Sequence, residues 1–304
     1  MPITVTVANK PSRYSTRELI GWCRKNFPPV NPANLFEQIL TRYDFANRRF
    51  ASMRALYDSI GRDISAEKFA VDPSAFQFKR NLFSQFKTVS IGTIDNLDVV
   101  RLSVKGENQE ERDKLANEAE LLLELARAGL RTVPLYTPVS EVRTSGTMYQ
   151  VAIKGNMLDF KEHFTDRQQT NLVAALMGLK GDDTEKALES PKIRQDIEKK
   201  ISCGILPSLT AIRTAHSDFL AIQIFLKEKY ITDLQGIMEF GTGYFFIIDP
   251  LHIGPRAEAK AHDLGVIAYV DEAVAWLVQF QQFIATKTTA REEKIASLNS
   301  LDRF

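Results

Sequence analysis

Two aspartates in this 304-residue chain stand beside apolar stretches that could aim a carboxylate out of a core. Asp218 lies in His216-Ser217-Asp218 and is followed by Phe219-Leu220-Ala221-Ile222-Gln223-Ile224-Phe225; Asp249 ends Tyr244-Phe245-Phe246-Ile247-Ile248 and precedes Pro250. A hard cation bridging phosphates takes oxygen ligands, and a carboxylate delivered at a strand end is such a ligand. Both aspartates also have plainer roles, a helix cap for Asp218 and a strand exit for Asp249-Pro250, where proline ends pairing. A third carboxylate, Glu118, falls in Asn117-Glu118-Ala119-Glu120-Leu121-Leu122, where taken alone it reads as a solvated helix residue. His163, His252 and His262 are too scattered for a metal site, and there is no GxSxG elbow, HExxH or complete Walker A pattern.

The elements that must position these groups begin at about Phe83. Phe86 to Ile91 alternates at period two, with Gly92 interrupting it, and Leu97 to Val104 is β-branched and strand-like, with Asp95-Asn96 as the turn between. Gln109 to Ala128 is helical, its stripe of Leu115, Ala119, Leu122, Leu123 and Ala126 closed by Gly129. Strands are expected at Thr132 to Thr137, Val139 to Arg143 and Met148 to Lys154, the last after a Ser145-Gly146 turn. The rest reads as helix, apart from strands at Ile222 to Leu226 and Tyr244 to Ile248, and the helix carrying Ala268, Val274, Leu277 and Phe280 reads as core packing. The fold class expected is α+β.

This order, together with His216-Ser217-Asp218 and its apolar sequel, resembles the protein kinases, whose catalytic loop reads HRDLxxxN. The helix around Glu118, running into Ala128-Gly129-Leu130-Arg131-Thr132-Val133-Pro134, is similar to the corresponding helix of the aminoglycoside phosphotransferases. The resemblance covers about two hundred residues (roughly Phe83 to Phe283) and implies a bilobal fold: a helical accessory region at 1–80, a small lobe at 81–158 and a larger, mainly helical lobe at 159–304. It implies ATP and magnesium as cofactors and transfer of a phosphoryl group to a hydroxyl of a protein or small molecule. By position, Asp218, with His216 beside it, orients the acceptor hydroxyl, Asp249 and Gln223 hold magnesium, and Arg101 pairs Glu118 near the nucleotide phosphates. Asp263 in His262-Asp263-Leu264-Gly265 falls where a buried aspartate props the catalytic loop; its plainer role is a helix cap. The motifs are degenerate. Gly92 stands alone where the family has a glycine-rich loop, Arg101 replaces a lysine, Gln223 replaces an asparagine, and about thirty residues separate Asp218 from Asp249. An inactive pseudokinase serving as a binding or assembly platform is the alternative.

Composition is that of an ordinary globular protein, 44% hydrophobic and 25% charged. No apolar run is long enough for a membrane span and the N-terminus lacks signal-peptide character, so the expected compartment is the cytoplasm. Cys23 and Cys203 suggest neither a disulfide nor a zinc site and read as buried or half-buried small residues. The net charge of +1 conceals an asymmetry: residues 1–80 hold thirteen Lys/Arg and seven Asp/Glu, a net +6, which leaves −5 for the remaining 224. Within that basic region helices are expected from Ser15 to Arg24, from Pro32 and from Phe50 to Ile60. Their apolar faces are expected to dock on the body. The alternative is a separate module contacting a protein partner or nucleic acid through clusters such as Arg48 and Arg49.

Overall fold

The computed structural model describes residues 76–301, apart from 83, 85, 95, 96, 107, 134, 136, 138, 161, 162 and 181–190. The helices expected before Phe76, and the Asp95-Asn96 turn, lie outside the described residues. The described chain is α+β. Strands β1 (Gln77–Leu82), β2 (Lys87–Ile94) and β3 (Leu97–Val104) lead into helix α1 (Gln109–Arg127); helix α2 (Val139–Ser145) then leads into β4 (Thr147–Val151). The four strands form one antiparallel sheet in the order β1-β2-β3-β4.

Because side chains alternate across a sheet, register assigns them to faces. Val89 pairs with Leu102 and Leu102 with Met148; these, with Val100 and Val104, pack on Leu115, Ala116 and Ala119 of α1 and Val142 of α2. Ser90 pairs with Arg101 and Arg101 with Tyr149, so these three belong to the opposite, outer face. Helix α1 has clear end signals: the Asn108 side chain accepts from Glu111 N, Glu110 and Glu111 lie in the first turn, and Gly129 adopts φ +94° beyond the last.

The second half comprises β5 (Gly155–Asp159), α3 (Asp166–Leu176), α4 (Pro191–Ser202), α5 (Leu209–Phe225), β6 (Lys229–Thr232), β7 (Gln235–Glu239), β8 (Phe245–Ile247), β9 (His252–Pro255) and α6 (Ala261–Leu301). Strands β5-β7-β8 make an antiparallel three-stranded sheet and β6-β9 a two-stranded one. Phe160 forms the centre of the core: its ring stacks on Tyr269 at 4.2 Å and Phe245 at 5.2 Å and tilts against Phe219 at 5.5 Å. Each such ring contributes about 1.5–3 kcal/mol on burial. Val274 and Leu277 of α6 are buried in this core and Phe280 packs against it, as the sequence pattern requires.

Several elements differ from expectation. Ile222 to Leu226 is the end of α5 and its cap, not a strand, because Ile222 and Leu226 continue the helical stripe of Ala211, Ile212, Ala215 and Phe219. Val139 to Arg143 lies in α2, where Val142 packs on α1 rather than pairing in a sheet. Among the described residues of Thr132 to Thr137 the strand reduces to two isolated bridges, Thr132 to Ile247 and Leu135 to Gln150. β2 runs through Gly92, and β1 begins at Gln77, inside the stretch assigned to the helical region. Cys203 is exposed. No described helix is long and apolar enough to cross a membrane.

Candidate functional site

Three charged side chains from distant parts of the chain converge between the four-stranded sheet and the second half. Lys87 opens β2 on the same face as Val89, Glu118 lies mid-way along α1 on the stripe with Leu115 and Ala119, and Asp249 follows β8 by two residues. Lys87 Nζ donates to Glu118 Oε2 at 2.6 Å and to Asp249 Oδ1 at 2.9 Å, bridging partners 31 and 162 positions away. The side chains of Lys87 and Glu118 are 16% and 11% exposed, that of Asp249 39%, so Asp249 is the open corner of the site.

Burial pushes the Glu118 carboxyl up to about 7; Lys87 pulls against this and the carboxylate of Asp249 adds to it. No described group donates to Glu118 Oε1. Burial also opposes the charge on Lys87, but Glu118 and Asp249 outweigh it and hold its pKa above the ordinary lysine value. The result is a fixed ammonium whose orientation is set by a buried carboxyl and whose other partner reaches solvent. Such a pair suits an anion that arrives with a divalent cation, the ammonium taking the one and the open carboxylate the other.

A second acidic turn runs beside Asp249. Asp233, exposed and at φ +56°, lies in the turn between β6 and β7. Ile248 N donates to the Gln235 carbonyl at 3.1 Å and Leu251 N to the Thr232 carbonyl at 3.2 Å, so the backbone on both sides of Asp249 is tied to the backbone on both sides of Asp233. The Asp233 turn is itself anchored: Thr232 Oγ1 donates to Asp263 Oδ1 at 2.8 Å, and Asp263, 1% exposed in the first turn of α6, also accepts from Lys260 N at 2.9 Å. Asp263 therefore both caps α6 and braces the β6–β7 turn.

Of the residues singled out in the sequence, the structure brings together Glu118 and Asp249. Arg101 does not pair with Glu118: the register puts it on the outer face, with its guanidinium 4.5 Å from the centre of the Phe76 ring. Lys87, one strand over and on the correct face, takes that place. Gly92 lies within β2 beneath Phe76, not in a phosphate-binding turn. His216, Asp218 and Gln223 ride on α5 rather than on a loop. There Asp218 receives Arg131 Nε at 2.8 Å and Nη2 at 3.2 Å and the Phe245 N–H at 3.0 Å, while Gln223 donates to Asp271 of α6 rather than reaching Asp249. The sequence reading missed Lys87 and Asp233. Lys87 was legible by parity within the alternating Phe86 to Ile91 run, and Asp233-Leu234 by the apolar Ile237-Met238 that follows it. Among the described residues no group of three or more His, Cys, Asp or Glu forms a metal cage. Comparison with known protein families and with characterised proteins finds no match to this chain.

Proposed function

We propose that this chain is a bilobal, kinase-like phosphotransferase that passes the γ-phosphate of ATP to a hydroxyl of a protein or small molecule. The observation that carries the reading is the Lys87–Glu118–Asp249 cluster: a lysine held by a helix glutamate and facing an aspartate at a strand exit is the arrangement that seats nucleotide phosphates and their metal in this class. The strand pairs β6-β9 and β7-β8, with Asp233 and Asp249 on the adjacent turns they create, support it further. In this reading Lys87 binds phosphate oxygens, Glu118 orients Lys87, Asp249 is the magnesium ligand and Asp233 receives the proton of the acceptor hydroxyl. As the hydroxyl oxygen bonds to the γ-phosphorus, the bond to the bridging oxygen breaks and ADP leaves. Magnesium, held by a single protein carboxylate and the phosphates, would neutralise the leaving charge; that sparse ligand set fits the open Asp249 corner.

A second reading, a pseudokinase platform, is favoured by the β1–β2 connection, Phe83-Ser84-Gln85-Phe86, which has no glycine to let backbone amides wrap a phosphate. A thermal shift with ATP and magnesium separates the two, since a ligand that binds only the native state raises its apparent stability. The phosphotransferase reading expects a rise of several degrees in the wild type, its loss in Asp249→Asn, and phosphate transfer that disappears in Asp233→Asn with the nucleotide response retained. No response in the wild type would leave the platform reading.

A further inference from the structure

We propose that the concave surface where helices α3, α4 and α6 meet is a binding site for a small organic ammonium ion with an apolar body. Helical spacing creates it. Asp166, Thr170 and Val173 lie on one stripe of α3, Ile197 and Ile201 on one of α4, and Trp276 and Phe280 on one of α6, at intervals of three or four residues. All of these side chains line one cavity of about 330 Å³, at the lower end of the range that holds small ligands. Val173 and Ile197 are buried in a shared cluster, whereas Trp276 and Phe280 stay half-buried, so the three stripes meet without filling the space between them. None of these residues belongs to the Lys87 cluster or to the Asp233 turn, and the site is separate from the one described above.

The apolar wall sets the body of the ligand and the charges set its head. Trp276 stacks on Phe280 at 4.7 Å and meets Phe164 edge-on at 5.6 Å, so its ring is fixed and a bound body requires no rearrangement of it. The lining includes two carboxylates, Asp166 from α3 and Glu198 from α4, and no Lys, Arg or His. Lys199 and Lys200 follow Glu198 but are turned about 100° and 200° around α4 from it, and they do not line the cavity. Asp166 has a plainer role as well, because a carboxylate in the first turn of α3 complements the helix dipole. Glu198 has none: it lies one residue before the last turn of α4, is exposed, and makes no ion pair among the described residues. An anion would be repelled here and an uncharged ligand would leave both carboxylates unused. An ammonium ion fits, its charge met by Glu198 and Asp166 and its body lying against Trp276.

The test uses the full chain with Trp22→Phe, which leaves Trp276 as its tryptophan, titrated at fixed ionic strength with phenethylammonium, 2-phenylethanol and 3-phenylpropionate. Phenethylammonium should change the Trp276 emission saturably and bind about fivefold tighter than the alcohol, the scale of one partly exposed ion pair, and the carboxylate should not bind. Glu198→Gln, at an exposed position, should diminish that preference and leave the affinity for the alcohol unchanged. Ligand-observed saturation-transfer NMR on the unmodified chain repeats the comparison in case the tryptophan variant does not fold. No saturable binding of the ammonium ion, equal affinity for it and the alcohol, or a preference undiminished in Glu198→Gln would each overturn the proposal. None of these measurements reads nucleotide binding, so the outcome is independent of the phosphotransferase reading.

Discussion

Glu118 joins one buried acid to two chemical demands, orienting Lys87 and keeping its own unpartnered oxygen out of water. Its pKa is raised from the ordinary value near 4.5 to about 7, so the native state holds its proton more tightly than the unfolded state. A group raised in this way stabilises the fold fully below its unfolded pKa and loses that contribution as pH climbs through its folded one. The prediction is that wild type loses stability relative to Glu118→Gln between pH 4.5 and about 7, by a few kcal/mol at most, with no further divergence up to pH 9. Denaturant midpoints of both proteins across that range check it; parallel curves would mean that Lys87 neutralises the carboxyl completely. Lys87 does not blur the window, because its own shift lies above the ordinary lysine value and titrates only at high pH.

At the scale of elements, the strand that delivers Asp249 is held by a clamp rather than by its short sheet alone. β8 has three residues, but Ile247 exchanges backbone hydrogen bonds with Arg131 and Val133, and Arg131 stacks 4.0 Å from the Tyr244 ring while forking onto Asp218 of α5. Asp218→Ala should therefore lower stability by about 3–5 kcal/mol, since it removes the carboxylate that holds the largely buried Arg131 guanidinium and accepts from the Phe245 N–H. Gln223→Asn, which disturbs one exposed hydrogen bond to Asp271, should stay within about 1 kcal/mol and leave any nucleotide response unchanged. Urea unfolding reads both. Were Asp218 a loop carboxylate serving catalysis, its loss would spare stability, so an unshifted midpoint would sink the clamp. The same elements explain what was legible in advance. α1 announced itself by the amphipathic pattern of Gln109 to Ala128 with a terminal glycine, and β8 by an apolar run closed by Asp-Pro. β6, β7 and β9 are four or five residues each, too short to show a period. The apolar end of α5 looked like a strand because Ile222, Ile224 and Phe225 fit either period. Arg101 failed for a subtler reason: counting residues to Glu118 ignores the face, and a one-residue change of parity hands the role to the neighbouring strand.

For the molecule as a whole, the two halves share one core, and this decides how they unfold. Leu122, Leu125, Leu130 and Val133, from the end of α1 and the segment after it, lie in the same apolar cluster as Phe219, Phe245, Tyr269 and Leu277. The first half is thus not closed off by its own hydrophobic layer; the C-terminal turns of its main helix are buried in the second half. Lys87 adds a tie between β2 and the exit of β8. Separating the halves would expose those leucines while gaining little conformational freedom, so an intermediate with one half folded should be scarce. The predicted behaviour is a single transition in which far-ultraviolet circular dichroism and the fluorescence of Trp276 coincide, measured in a Trp22→Phe background so that only the α6 tryptophan reports. Lys87→Met should move both probes to lower denaturant together, by the energy of one partly buried ion cluster, without separating them. Transitions that part by more than the experimental error, in either protein, would mean that the shared core is too weak to couple the halves and that each carries its own stability.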